Sequence, residues 1–264
     1  MVIWTPNFVL GVTILLAWAL FSRVAYVLAS IWFGGPTAIR KGSSIKTLVV
    51  LGSGGHTSEM LKLVAGLDRA RYHPQVFVIA NTDKLSRDRL NGLSKQNITS
   101  NETPPSMAKN QGLAGNGGYE LRSRKKFANE ASDLDKQRPK REQAETEAIV
   151  EIIPRSREVG QSYVTSVFTT IFASLCALKI VVKHRPDLII VNGPGSCVPV
   201  CMCGLLLRML AICNARITFV ESLCRVRSLS LTGKILYWFA DDFIVQWPDL
   251  QAKYKKSKFL GRIV

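Results

Sequence analysis

The chain has 264 residues, and its 35 Lys and Arg against 19 Asp and Glu give a formal charge of +16. That length allows one or two domains, and a basic balance admits either nucleic acid or an anionic membrane surface as partner. Neither interleaved aromatics nor a nucleic-acid-binding motif accompanies the charge, so no nucleic acid is expected, and Lys253, Lys255, Lys256 and Lys258 are read as facing lipid head groups or solvent.

The first element is apolar. Phe8 to Ser22 carries almost no polar side chain and, after Arg23, the apolar run resumes to Phe33. This suffices to cross a hydrocarbon core of roughly 30 Å, with Arg23 snorkelling or paired near one end. A signal peptide normally begins with a basic segment and stops sooner. Here no Lys or Arg precedes Arg23, whereas Arg40, Lys41 and Lys46 follow, so the positive-inside bias places the rest of the chain in the cytosol. A single-pass anchor is expected over 1–35.

Beyond it, apolar runs and helix-like runs alternate. Lys46 to Gly52 reads as a strand, Ser58 to Leu67 as an amphipathic helix, and Gln75 to Ala80 as a second strand. From about Lys84 to Ala148 the composition turns polar and charged, with a glycine-rich stretch at Gly112 to Gly118 and a basic cluster at Arg122, Arg124, Lys125 and Lys126. Such composition buries too little surface to offset the entropy of ordering, and a disordered insertion is expected at 84–148. The sequons at Asn97 and Asn101 are read as unused in a cytosolic segment, and Asp133-Leu134-Asp135 is discounted as a metal motif because it lies in this insertion.

After the insertion, Ile149 to Ile153 reads as a strand, Arg157 to Lys183 as a long helix, Asp187 to Asn192 as a strand and Val198 to Ala211 as an apolar helix. Arg216 to Glu221 (strand), Leu229 to Ala240 (helix) and Phe243 to Gln246 (strand) complete the series. Strands apolar throughout and separated by helices require a parallel sheet covered on both faces. The expected fold is one doubly wound, Rossmann-like α/β domain over 45–264. Cys176, Cys197, Cys201, Cys203, Cys213 and Cys224 lie mostly in apolar runs without paired metal-ligand spacing and are read as reduced thiols, so no metal is expected.

In such sheets ligands sit at the carboxyl ends of the strands, where LGSGGHTSEM falls. Gly52, Gly54 and Gly55, with Ser53 and Thr57, lead into a helix whose first N–H groups lack internal partners, an arrangement that accepts an anion. A P-loop would want Lys where His56 stands, and a dinucleotide fingerprint would want Gly or Ala at Thr57, although Asp83 lies where a ribose hydroxyl could be held. A phosphate cradle, a dinucleotide site and an empty tight turn all remain open at this level. The same rim receives Asn192-Gly193-Pro194-Gly195-Ser196 and Glu221-Ser222. Arg155 and Arg157 either clamp a phosphate or cap the long helix.

These stretches, with IIPRSREVGQSY, RPDLIIVNGPGSCVP, VESLCRVRSLSLTGKILY, FIVQWPDL and KFLGRIV, together resemble the membrane-anchored subunit of the two-chain UDP-N-acetylglucosamine transferase. That family acts on N-acetylglucosaminyl-diphospho-dolichol at the cytosolic face of the endoplasmic reticulum, in the synthesis of the N-glycan precursor. More distantly the chain resembles the acceptor half of the bacterial lipid-linked N-acetylglucosaminyltransferase of GT-B fold. The resemblance implies that Gly52, Ser53, Gly54, Gly55, Thr57, Gly193, Gly195 and Ser196 face the acceptor diphosphate, and that His56 or Glu221 serves as the base of an inverting transfer of a second, β-1,4-linked GlcNAc. It implies no cofactor, and an endoplasmic reticulum membrane location with the nuclear envelope membrane left open. It also implies a separate soluble subunit that binds UDP-GlcNAc, because transfer in that fold takes place between two doubly wound domains and this chain supplies one. Phe259, Leu260, Gly261, Ile263 and Val264 either dock that partner or finish the sheet. A pure recruitment anchor without catalytic residues and an NAD- or FAD-dependent oxidoreductase are the competing expectations.

Overall fold

The computed structural model describes residues 6–34, 44–90, 149–156 and 161–263. Residues 90–147 form a separate unit that, apart from Leu90, falls outside the described residues, as do both sequons, the basic cluster at Arg122 to Lys126, Asp133 and Asp135, Arg157 and Val264. Residues 1–89 and 148–264 make up the other unit, which holds the sheet.

Helix α1 (Pro6–Phe33) is followed by strand β1 (Thr47–Val50), α2 (Gly55–Ala65), β2 (Gln75–Ala80), β3 (Ile149–Ile153), α3 (Tyr163–His184) and β4 (Leu188–Val191). Then come α4 (Cys197–Met209), β5 (Arg216–Val220), α5 (Leu231–Leu236), β6 (Asp242–Val245), α6 (Pro248–Lys253) and β7 (Lys258–Phe259). The seven strands form one parallel sheet in the order β3-β2-β1-β4-β5-β6-β7. This is the doubly wound arrangement expected from the alternation of apolar runs. Right-handed crossovers put α2 on one face and α3, α4 and α5 on the other, so β1 and β4 are wholly buried. Strand order reverses between β1 and β4, and the crevice outside their carboxyl ends is the place where such folds bind ligands.

Three features add to or differ from the expected elements. Residues 84–90, assigned to the insertion, form a helical segment whose Ser86 and Arg89 reach the glycine loop. The sheet gains β7 at its edge, preceded by α6, which Pro248 starts at a position where its missing N–H costs nothing. The third is α1, which joins the domain along its second half.

The first part of α1 exposes Phe8, Leu15, Trp18 and Phe21, as a lipid-facing helix does, and its 28 residues span about 42 Å. Val27 and Ile31, however, are buried in the domain core, and Trp32 packs edge-on against Tyr237 and tilted against Trp238. Lys256 places its ammonium 4.7 Å over the Trp32 ring. Beneath this contact the buried Arg208 of α4 grips both carboxylate oxygens of Asp241 at 2.7 and 2.9 Å and donates to Ser30 Oγ of α1 at 2.9 Å, while Arg23 donates to the Arg208 carbonyl. Arg23 therefore pairs with the domain rather than only snorkelling.

Helix α3 also qualifies by length and apolarity as a candidate span. Val164, Val167, Phe168, Ile171, Phe172 and Leu175 form one exposed stripe at helical spacing, while Ala173, Ala177 and Val181 on the other side are fully buried. Ser162 caps its first turn and Arg185, left-handed at φ 43°, ends it.

Candidate functional site

The glycine loop sits at the end of β1 against the β4 loop. A Cβ on Gly52 would stand 2.6 Å from Pro194 Cγ and 2.9 Å from His56 Cβ, so no larger residue fits between the two loops. Gly54 has φ 66° and precedes α2 without any side-chain cap, so the first N–H groups of that helix have no side-chain partner at the strand end. Gly55 and Gly195 face open space, Ser53 is exposed, and Ser196 begins α4 without capping it through its side chain. The two loops thus bring small residues together at the strand ends, with Gly54, Gly55 and Gly195 open and Ser196 buried.

Thr57 lies differently from the other loop residues. Its hydroxyl is fully buried, donates to the Gly52 carbonyl and meets Ser86 Oγ at 2.5 Å. Ser86 Oγ in turn donates to the Asp83 carboxylate and lies 3.0 Å from the Gly52 carbonyl. The Thr57 side chain therefore holds the loop from behind and does not face an acceptor, since its hydroxyl is already committed. Asp83 is likewise taken up, accepting from the Ser86 amide at 3.1 Å as the cap of the 84–90 segment, which removes it from the ribose-binding role that a dinucleotide site would require. Arg89 donates to the Gly54 carbonyl and to Ser58 Oγ, bringing to the loop a cation that no motif in the chain announces.

His56, in the first turn of α2, stands at the meeting of the two loops. A Cβ on Gly193, itself at φ 87°, would lie 3.1 Å from His56 Cε1, so the ring packs closely against the β4 loop. Its side chain is 37% exposed, but Nδ1 is buried and has no hydrogen-bond partner among the described residues. The nearest charge is Glu59 Oε2, one helical turn on and 3.8 Å away. Glu59 accepts from Ser222 Oγ at 2.9 Å and from Asn192 Nδ2 at 3.5 Å, and Asn192 Nδ2 also donates to the His56 carbonyl at 2.7 Å. The sequence signal for Glu59 is its spacing three residues after His56, which puts both on one helix face.

Glu221 occupies the end of β5 as expected, but its carboxylate is turned inward. It is fully buried and accepts from the Ser230 amide and hydroxyl at 3.0 and 3.2 Å and from the Ser222 amide at 3.2 Å. Burial pushes its carboxyl above the usual carboxylate range, against the opposing pull of those hydrogen bonds. A Cβ on Gly233 would stand 2.4 Å from Glu221 Oε2, so α5 closes directly over it. Glu221 organises the 222–230 loop and through it delivers Ser222 to Glu59.

Along the other edge, Phe259 and Leu260 are exposed, Gly261 has φ 85°, Ile263 is half-buried, and Arg262 lies 4.4 Å over the Trp247 ring. Beside β3, Arg155 lines a cavity of about 360 Å³ with Asn81, Thr82, Gln161, Thr169 and Phe172. Cys197, Cys201 and Cys203 are free thiols buried in α4, with burial raising all three and Cys203 reaching about 11. No group of three His, Cys, Asp or Glu close enough to hold a metal occurs among the described residues.

Fold and site define a doubly wound α/β domain, joined to a membrane-length helix, that brings two glycine loops and one imidazole together at its strand ends. A family model described as "Oligosaccharide biosynthesis protein Alg14 like" matches residues 47–110 and 120–263, and the chain belongs to that family. The UDP-N-acetylglucosamine transferase subunit ALG14 of Mus musculus is 39% identical over 245 residues, covering 93% of this chain and 92% of the relative. The subunit of the same name from Homo sapiens is 39% identical over 84% of each chain. The Schizosaccharomyces pombe subunit is 35% identical over 81% of each. Among solved structures, MurG of Acinetobacter baumannii aligns with a TM-score of 0.46 at 12% identity, covering 78% of this chain and 42% of that one.

Proposed function

We propose that this chain is the membrane-anchored, acceptor-binding subunit of a UDP-GlcNAc transferase that adds the second GlcNAc, β-1,4-linked, to GlcNAc-diphospho-dolichol. The observation that carries the reading is the strand-end rim, where the uncapped start of α2, the Gly193 loop and the partly exposed His56 meet on a chain with a membrane-length helix. The names carried by its relatives support the sugar nucleotide and the subunit status. The acceptor diphosphate lies against Gly54, Gly55, Gly193 and Gly195 with Ser53 and Ser196. A soluble partner docks at Phe259, Leu260, Gly261, Ile263 and Val264 and brings UDP-GlcNAc. The site works at the cytosolic face of the endoplasmic reticulum membrane.

In the reaction the acceptor 4-hydroxyl gives its proton to His56 Nε2 while its oxygen bonds to the anomeric carbon. The bond from that carbon to UDP breaks, UDP leaves with the electron pair, and the configuration inverts. Glu221, enclosed as it is, keeps the rim in shape. The test is affinity capture of the tagged chain from membranes. Recovery of a small soluble subunit together with UDP-GlcNAc-dependent elongation of the lipid acceptor, and no turnover by the isolated chain, is the expected result. Turnover by the chain alone, or tight binding of NAD or FAD, overturns the reading.

The apolar stripe of α3 supports a second contact with the bilayer, since α4 packs against both α1 and α3 and brings the two lipid-facing helices to one side of the sheet. Phe168→Glu with Phe172→Glu is expected to raise KM for the lipid acceptor in vesicles by roughly 100-fold or more, since each of the two rings is worth about 1.5–3 kcal/mol when buried, and to leave KM for a short-chain soluble acceptor unchanged. Equal effects on both acceptors would place the stripe away from lipid.

A further inference from the structure

The environment of His56 contains a carboxylate for which neither diphosphate binding nor partner docking has a use. Glu59 is mostly shielded, with its side chain 16% exposed. Its oxygens are divided between two directions. Oε1 is held by Ser222 from the β5 loop, and Oε2 is met by Asn192 from the β4 loop while facing His56 Nδ1. Three elements thus converge on one side chain, and Asn192 locks the backbone of His56 with the same amide that touches Glu59. A carboxylate serving only to steady α2 would not need anchors from two separate strand ends.

The orphaned atom is His56 Nδ1, buried and without a hydrogen-bond partner among the described residues, with the Glu59 carboxylate 3.8 Å away. An imidazole that accepts a proton through Nε2 must carry its own proton on Nδ1, and the tautomer is set by what the second nitrogen meets. Gly193 leaves room for the ring against the β4 loop, Nδ1 is buried there, and the side chain keeps 37% of its surface exposed.

We infer that Glu59 is a positioning residue for His56: it selects the Nδ1–H tautomer and stabilises the imidazolium that forms when the acceptor hydroxyl gives up its proton, with Ser222 and Asn192 fixing the carboxylate. The inference rests on the reading of His56 as the base, and its test separates the two. In Glu59→Gln the amide can donate to Nδ1, which favours the tautomer with its proton on Nε2 and so blocks the accepting nitrogen.

The experiment uses the complete two-subunit complex with UDP-GlcNAc and a lipid-diphosphate GlcNAc acceptor. Glu59→Gln is expected to lower kcat by about 10- to 100-fold with acceptor KM within about two-fold, Glu59→Asp to recover part of kcat, and Ser222→Ala to fall between. The chain has three histidines, so ¹⁵N-histidine spectra, with His56→Ala used for assignment, read the tautomer directly. A move of the His56 proton from Nδ1 to Nε2 in Glu59→Gln is the expected signature. Wild-type kcat in Glu59→Gln, or a kcat loss with the tautomer unchanged, overturns the inference. Wild-type turnover in His56→Ala removes the base assignment instead, while the spectra still report whether Glu59 controls the ring.

Discussion

His56→Ala in the assembled complex is expected to cut kcat by about 10²- to 10⁴-fold, the usual contribution of a positioned general base, without loss of partner binding. The geometry gives this variant its force. The imidazole is the side chain that combines a buried Nδ1 with a partly exposed surface beside the uncapped start of α2. Truncation leaves the Glu59, Ser222 and Asn192 cluster in place and removes only the acceptor of the proton. Glu221→Ala is expected to behave in the opposite way. The Ser230 and Ser222 amides would lose their buried acceptor, at about 1–3 kcal/mol for each group left unsatisfied, so the loss should appear in thermal unfolding and in recovery of the complex before it appears in kcat. Steady-state kinetics of both variants, beside co-purification of the soluble subunit, check the pair. Full activity in His56→Ala together with a stable but inactive Glu221→Ala would assign the base to Glu221.

The same contrast shows what a sequence can and cannot disclose. The continuous apolar runs TLVV and LIIV announced buried parallel strands, because a strand covered on both faces has no polar side to alternate. The glycine at the end of β1 marked a close approach for a reason that is equally local: a backbone that must meet another loop has no room for a Cβ, as Gly52 shows against Pro194. The direction in which a side chain is turned is a tertiary property. Thr57 and Glu221 stood at the right positions along the chain, yet the hydroxyl closes on the Gly52 carbonyl and the carboxylate on the 222–230 loop. Residues 84–90 read as the start of a polar insertion because their contribution is a cap and a cation delivered to the glycine loop, which leaves no apolar period to detect. The docking of α1 was hidden for a related reason. A helix apolar on every side carries no stripe to say which of its faces meets protein and which meets lipid, and Val27 and Ile31 look no different in sequence from Leu15 and Phe21.

Breaking the joint between α1 and the domain should be the most destabilising single change in the described chain. Arg208 and Asp241 are both almost fully buried, at 2% and 3% side-chain exposure, and the guanidinium is shared by the carboxylate and by Ser30 of α1. Asp241 also accepts from the Ile217 amide at 2.8 Å, tying the start of β6 to β5. Arg208→Ala would leave a buried carboxylate without its cation and release Ser30, and a broken buried pair of this kind typically costs about 3–5 kcal/mol. For a domain of this size that corresponds to a fall in Tm of roughly 10 °C, since each kcal/mol is worth about 2–4 °C. The loss belongs to the uncompensated charge more than to the missing contact, and a second variant separates the two. Arg208→Met with Asp241→Asn fills the space, removes both charges and keeps an acceptor for the Ile217 amide, so most of the stability should return. Thermal unfolding of the detergent-solubilised complex measures both variants. Should the double variant unfold as early as Arg208→Ala, the ion pair itself, rather than relief of an orphaned charge, would be what holds α1 to the domain. If α1 sets how the rim faces the membrane, the restored double variant should also recover turnover on lipid acceptor in vesicles. Arg208→Ala, even below its own Tm, should turn over a soluble acceptor better than a membrane-bound one.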